Sequence, residues 1–485
     1  MGSPPSPCRH VVAVPYPGRG HINAMLNLCR LLTSRDGVSA TLVVTEEWLG
    51  LLGDSAAAAA GKDGVRVEAI PNVVPSEHGR AGDMLGFVQA VYTRMETPFE
   101  RLLDRLAAAA PPPPSAIVAD TFVLPWAVPV GERRGLPVCV LSPLAPTMFS
   151  IHYHFHRLPS AAAAGGGSAD IAGNGSDPCL VGSYIPGVKS IRISDLGTAS
   201  SDSDKKMLNL ILEAYSHVRK AQCVIFTSFY ELDSNAIDAL RRELPFPVFS
   251  VGPCIPYMSL QAAERHAVAG AGEGEEPYMT WLNSQPASSV LYVSLGSFLS
   301  VSPAQLDEIA IGLADSNVRF LWVLRADGDA DAPRAGEFAG GGGAGMVVTW
   351  TDQLKVLCHP SVGGFFTHSG MNSTMEAVHA GVPMLTLPIA FDQPIVSRLV
   401  ADEWRIGFGL RGDGAGGGGG GGIVGREAIA AAARRLMGCD AAEETKMMMM
   451  RASLMREASR AAARVDGSSY RDITSLINFI SEFKN

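Results

Sequence analysis

Short apolar runs of strand length alternate along this chain with polar glycine turns and amphipathic stretches of helix length. HVVAVPYP (His10 to Pro17) reads as a buried strand, GRGH as a turn, INAMLNLCRLLTSR (Ile22 to Arg35) as a helix and ATLVVT (Ala40 to Thr45) as a second strand. AAAAPPPP (Ala107 to Pro114) is a rigid connector. After it, SAIVADTF is a strand that delivers Asp120 at its end, and PVCVLSP delivers Ser142 in the same way. Strand, turn and helix repeated in this order predict a doubly wound α/β sheet, in which ligands gather at the carboxyl ends of the strands.

The pattern lapses from Phe246 to Pro286, where FPVFSVGPCIPY and GAGEGEEP read as an interdomain linker. It restarts with SSVLYVSLGS (Ser288 to Ser297) as a strand ending in a small-residue turn, PAQLDEIAIGLADS as a helix and FLWVLR as a strand. The expected organisation is residues 1–245 as one α/β domain, 246–286 as linker, 287–465 as a second α/β domain and 466–485 as a tail. That tail holds the amphipathic YRDITSLINFISEFKN. Ser160 to Pro178, Gly340 to Gly345 and Gly412 to Gly422 are low-complexity and read as surface loops.

Composition narrows the function. A chain of 485 residues with 47% hydrophobic content can bury two sheets, and a formal charge of −9 offers no basic face to nucleic acid or an acidic membrane. Its eight cysteines are scattered without CxxC or metal-ligand spacing and read as reduced thiols of a cytoplasmic protein. No secretory or membrane-spanning run is visible. Gly2 and Ser6 fit a myristoylation pattern short enough to arise by chance, and Asn174 and Asn372 begin sequons in form only. The DxD patterns at Asp202, Asp327 and Asp329 lie in polar stretches and read as solvated charge, so no metal is expected.

The richest chemistry lies between Trp350 and Gln393. VGGFFTH (Val362 to His368) is a strand, SGMN a turn and STMEAVHAG (Ser373 to Gly381) a helix ending at glycine. A helix start presents unpaired N–H groups at its positive end. With Asn372 and Ser373 as further donors and His368 just before them, it suits a phosphate or diphosphate. VPMLTLP is a second strand, followed by the polar pair Asp392 and Gln393. The bland alternative is one more αβ unit of a sheet protein.

This stretch resembles the donor-binding signature of the plant secondary-product UDP-glycosyltransferases, family 1 glycosyltransferases, read as W-x-x-Q, then H-C-G-W-N-S-x-x-E, then D-Q. The matching residues are Trp350, Gln353, His368, Gly370, Asn372, Ser373, Glu376, Asp392 and Gln393, at the family's own spacing. Two positions depart: Ser369 stands where the family has Cys, and Met371 where it has Trp.

The resemblance implies the GT-B fold, two Rossmann-like domains facing each other across a cleft, with the last helix crossing back onto the first domain. It also implies inverting, metal-independent transfer of a sugar, with glucose the first choice, from UDP to a small lipophilic acceptor. Trp350 stacks on uracil and Gln353 contacts the base or ribose. His368, Asn372, Ser373, the N–H groups around Gly370, and Ser297 hold the diphosphate. Glu376 takes the ribose hydroxyls, while Asp392 and Gln393 hold the sugar. Met371 cannot reproduce an indole face beside the sugar, so altered donor preference is expected.

Transfer to a hydroxyl needs a base, and His21 at a helix start is the candidate. The resemblance supplies Asp120 as its orienter; a lone strand-end Asp is by itself more often structural. Ser142 is placed on the acceptor side. UDP-sugar is then a co-substrate, no cofactor is expected, and the protein is expected to be a monomer. Two rivals are a non-catalytic UDP-sugar binder, which has no use for a base, and a nicotinamide oxidoreductase. The latter's glycine fingerprint fails here at Asn23, although Glu46 after the second strand fits it.

Overall fold

The computed structural model describes residues 9–53, 64–109, 112–159, 177, 179–197, 201–258, 276–296, 301–324, 345–410, 422–438 and 443–483. Ser297, the pattern at Gly2 and Ser6, the sequon at Asn174 and the carboxylates from Asp327 to Asp331 lie outside them.

The first sheet contains β1 (Arg9–Val14), β2 (Val38–Thr45), β3 (Val65–Ile70), β4 (Pro114–Asp120), β5 (Val138–Ser142), β6 (Cys223–Phe226) and β7 (Val248–Ser250). Its order is β3-β2-β1-β4-β5-β6-β7, and every pairing is parallel. The second contains β8 (Val290–Ser294), β9 (Arg319–Val323), β10 (Gly345–Val348), β11 (Val362–Thr367), β12 (Met384–Thr386) and β13 (Gly407–Gly409). It runs β10-β9-β8-β11-β12-β13, again parallel throughout.

Parallel strands covered on both faces must be apolar at nearly every position. β4 and β5 accordingly are buried at each residue. Successive side chains of β1 supply opposite cores: Val12 and Val14 pack with Phe87, Phe99 and Trp126, while Val11 and Ala13 pack with Ile22, Met25 and Leu28.

Strand order reverses between β1 and β4 in the first sheet, and between β8 and β11 in the second. At such a point the connections leave in opposite directions, which opens a crevice at the strands' carboxyl ends. His21 follows β1 and Asp120 ends β4, while Gly296 follows β8 and His368 follows β11.

Strand β7 lies inside the stretch read as linker. Three residues followed by the Pro-containing Gly252-Pro253 give no periodicity to detect, and only its pairing with β6 makes it a strand. The helix Ser468–Glu482 packs on the first sheet, burying Ile473, Leu476 and Ile480, and Asp472 accepts the Ser250 N–H at 2.7 Å. Among the described residues no helix is long and apolar enough to cross a membrane.

Candidate active site

His21 lies in the first turn of the helix Arg19–Thr33, whose N-cap is Gly18. Glycine is needed there because Arg80 crosses it: a Cβ would fall 2.3 Å from the guanidinium Nη1. Arg80 is buried and held in place, donating to Pro17 O at 3.2 Å and pairing with Glu77 at 2.8 Å. The turn that presents His21 is therefore braced from outside its own sequence.

Nδ1 of His21 and Oδ2 of Asp120 are 2.7 Å apart. The other carboxylate oxygen of Asp120 accepts the Phe122 N–H at 3.0 Å, so both oxygens are held. The carboxylate is fully buried while the His21 side chain is 22% exposed. With Nδ1 engaged, Nε2 is the nitrogen left for a substrate. Tyr16 and Phe122 flank the imidazole, with ring centroids at 5.0 and 5.8 Å, giving the site apolar walls.

On the opposite side, the helix Met371–Ala380 begins at Gly370 without any side-chain cap, so its first N–H groups are available to an anion. His368 stands beside it. Burial lowers its pKa to about 4, so the ring is neutral, and its buried Nδ1 has no hydrogen-bond partner. The ring fits only because two neighbours are glycines: a Cβ on Gly296 would lie 2.7 Å from Nε2, and one on Gly370 2.5 Å.

Trp350 is 67% exposed, an uncovered aromatic face. Gln353, at the start of the helix Gln353–Leu357, donates to Ser373 Oγ at 2.9 Å and to Glu376 at 2.6 Å. Burial pushes the Glu376 carboxyl up to about 7; the Gln353 hydrogen bond opposes the shift and Asp352 adds to it. Asp392 is likewise raised, to about 6, chiefly by burial, with His21 pulling the other way. Gln393 turns its carbonyl oxygen inward to accept the N–H groups of Ile389 and Ala390 at 2.7 and 3.0 Å, which leaves its NH2 as the group it can offer.

The two departures from the family pattern are accommodated differently. Ser369 is left-handed, with φ of 63°, and its hydroxyl lies 2.5 Å from His368 O and 3.0 Å from Gln393 O, tying the turn before the helix Met371–Ala380 to the turn at Gln393. Met371 is only 5% exposed and belongs to a hydrophobic cluster that includes Ala145 and Ile151 of the first half. Met371→Trp is expected to overpack this cluster and destabilise the protein by about 1–3 kcal/mol, read as a lower Tm. An unchanged Tm would show that room for an indole exists.

Sequence reasoning assigned Asn372 to the diphosphate. Its side chain donates to Gly20 O at 2.7 Å, next to His21. The reading also missed Tyr16, Arg80, Glu77 and Phe122 around His21, Gly296 against the His368 ring, and Tyr292, whose hydroxyl lies 3.5 Å from Gln353 Oε1. The SLGS turn hinted at Gly296. The rest carried no local signal, because each acts through a contact distant in sequence. Among the described residues no group of three His, Cys, Asp or Glu could hold a metal ion. Ser142 ends β5 fully buried, one strand from Asp120.

Two parallel α/β sheets with crevices at their switch points define the GT-B class of glycosyltransferase folds. Medicago truncatula UGT71G1, complexed with UDP-glucose, shares the fold with a TM-score of 0.78 over 98% of both chains, at 24% identity. Residues 253–407 match the family model described as UDP-glucoronosyl and UDP-glucosyl transferase. UDP-glycosyltransferase 87A2 of Arabidopsis thaliana is 42% identical over 407 residues, covering 84% of this chain and 83% of that protein. Indole-3-acetate beta-glucosyltransferase of Zea mays is 33% identical over 422 residues, covering 84% and 86%. The chain belongs to the plant UDP-glycosyltransferase family and is an enzyme of that class.

Proposed function

We propose that the protein transfers glucose from UDP-glucose to a hydroxyl or carboxyl oxygen of a small lipophilic acceptor, with inversion at the anomeric carbon and without a metal. The observation that carries this reading is the His21–Asp120 contact at 2.7 Å, opposite an uncapped helix start and joined to it by the Asn372–Gly20 bond. Nε2 of His21 takes the acceptor proton as the acceptor oxygen attacks the anomeric carbon. The bond from that carbon to UDP breaks on the far face and its electron pair leaves with UDP. Asp120 holds the ring in the tautomer that can accept a proton and stabilises the resulting cation.

Leaving-group charge is met by the N–H groups of Met371, Asn372 and Ser373 and by the orphaned ring nitrogen of His368, donors already fixed in place. Trp350 stacks on uracil, Gln353 and Glu376 hold the ribose, and Asp392 with the Gln393 amide holds the sugar. Asn372, engaged with Gly20, acts instead in holding donor helix and base together. The scattered thiols and the absence of a basic face fit a cytoplasmic monomer.

The direct test is UDP release with EDTA present, offering UDP-glucose, UDP-galactose, UDP-xylose and UDP-glucuronate with phenolic and terpenoid acceptors. Turnover with UDP-glucose ahead of the others is expected. UDP binding without turnover across the panel would favour a non-catalytic binder.

Glu376 gives a second test. A ribose hydroxyl donates to the carboxylate, whereas this carboxyl keeps its proton up to about pH 7. UDP-glucose affinity is therefore expected to fall as pH drops below that value, by up to about tenfold per pH unit. Glu376→Gln should bind weakly and lose this step. Calorimetric titration across pH decides, and a flat wild-type profile would remove Glu376 from the ribose.

A further inference from the structure

In a chain of formal charge −9, a cavity walled by cations and lined by no carboxylate stands out. It has a volume of about 740 Å³, large enough for a small organic molecule. Its walls come from the end of the helix Arg19–Thr33, from Val251, Tyr257 and Met258 after β7, from the end of the helix Met371–Ala380, and from the elbow between the helices Glu443–Ala463 and Ser468–Glu482. The cavity thus lies where the chain passes between the two sheets. It is separate from the site around His21: that residue opens the helix Arg19–Thr33, and the cavity borders the other end, about 18 Å further on by the helical rise.

Arg35, Arg460 and Arg464 line the cavity, and none of them forms an ion pair among the described residues. Arg460 and Arg464 stand four residues apart at the end of one helix, where like charges repel. Arg35 lies over the Tyr470 ring at 3.8 Å, and its buried Nε has no hydrogen-bond partner. The hydroxyl of Ser469, a lining residue only 1% exposed, is also unpartnered. Buried polar atoms seldom stay so.

Helix ends favour cations after them, and that bland reading has to be weighed. Three helix carboxyl ends and one amino end border the cavity. At about half a charge each they sum to about one negative charge, which leaves a positive balance of about two. The other titratable groups of the wall are neutral. Burial, helped by Arg460, pushes the His379 imidazole down to about 4, and burial pushes the Tyr257 phenol up to about 12 against the pull of Arg35.

The remaining wall is apolar or aromatic, with Leu31, Val251, Met258 and Ile473 beside the rings of Tyr257 and Tyr470. A bare inorganic anion would leave these surfaces wet, and a neutral ring would leave the guanidinium groups without a partner. A ring that carries an oxyanion satisfies both, since guanidinium pairs with planar oxyanions through two parallel N–H bonds.

We propose that this cavity binds a small aromatic anion, a planar ring system carrying a carboxylate, sulfonate or phosphate, at a site distinct from the one that holds His21.

The test is calorimetric titration of the full chain with a naphthalene disulfonate, with a naphthalenediol and with inorganic sulfate. The disulfonate is expected to bind at least about tenfold more tightly than either control and to raise the Tm. In the double variant Arg460→Gln, Arg464→Gln, its affinity should fall by about tenfold or more, with the Tm of the free protein unchanged because both side chains are exposed. Arg35→Gln, on a different element, repeats the test if that variant fails to fold.

Equal binding of the disulfonate and the diol would overturn the role of the arginines, and equal binding of sulfate would overturn the role of the ring. Trp350 offers the competing aromatic surface. Affinity kept in the double variant and lost in Trp350→Ala would place the probe there and overturn the proposal.

Discussion

Replacing His21 by alanine is expected to lower the rate of sugar transfer by about 10²–10⁴-fold, the usual contribution of a positioned base, while UDP affinity is unchanged. The separation of the two effects follows from the architecture. His21 belongs to the crevice of the first sheet, whereas the groups assigned to UDP come from the second. The cross-cleft bond from Asn372 ends on the backbone carbonyl of Gly20, so it survives the substitution. Steady-state UDP release together with calorimetric UDP binding decides. Full activity in the variant would remove His21 as the base, and loss of UDP binding would show that the substitution had damaged the cleft as a whole.

The conservative change Asp120→Asn should be nearly as severe, on the order of 10³–10⁴-fold in kcat, because it acts on the tautomer. Asparagine still offers an oxygen to the Phe122 N–H, so the turn after β4 is kept. Its other atom becomes an NH2 that donates to Nδ1 of His21, which drives the ring proton to Nε2. A nitrogen that already carries a proton cannot take one from the acceptor. The expected signature is a collapsed kcat with unchanged UDP affinity and an unchanged Tm. A fall in Tm with little change in kcat would instead make Asp120 a structural residue.

Much of the local structure between Trp350 and Gln393 was legible in the sequence because its logic is local. Strand, turn and helix from Val362 to Gly381 lie in one continuous stretch, and Glu376 follows Ser373 and Asn372 within a single helical turn or so, so spacing alone places them on one end of one element. The same holds for the strand end that delivers Asp120 and the helix start that delivers His21.

What the spacing could not give was which of these ends meet. His21 and Asp120 are 99 positions apart, and Asn372 and Gly20 are 352 apart, separations that only the order of strands in each sheet brings to contact. The support around the site is of the same kind. Arg80 pins Gly18 from a loop that has no periodicity, and Gly296 makes room for His368 from another strand end.

The sequence by itself determined the class of fold and the strand, turn and helix from Val362 to Gly381, since hydrophobic periodicity and short-range turns are set within a few residues of where they act. The tertiary structure alone decided that the helix Met371–Ala380 meets the turn that carries His21, that Ser369 is tied to Gln393 and that Met371 is packed into the core. These follow from strand order and close packing, which are properties of the whole chain and leave no trace in any one stretch of it.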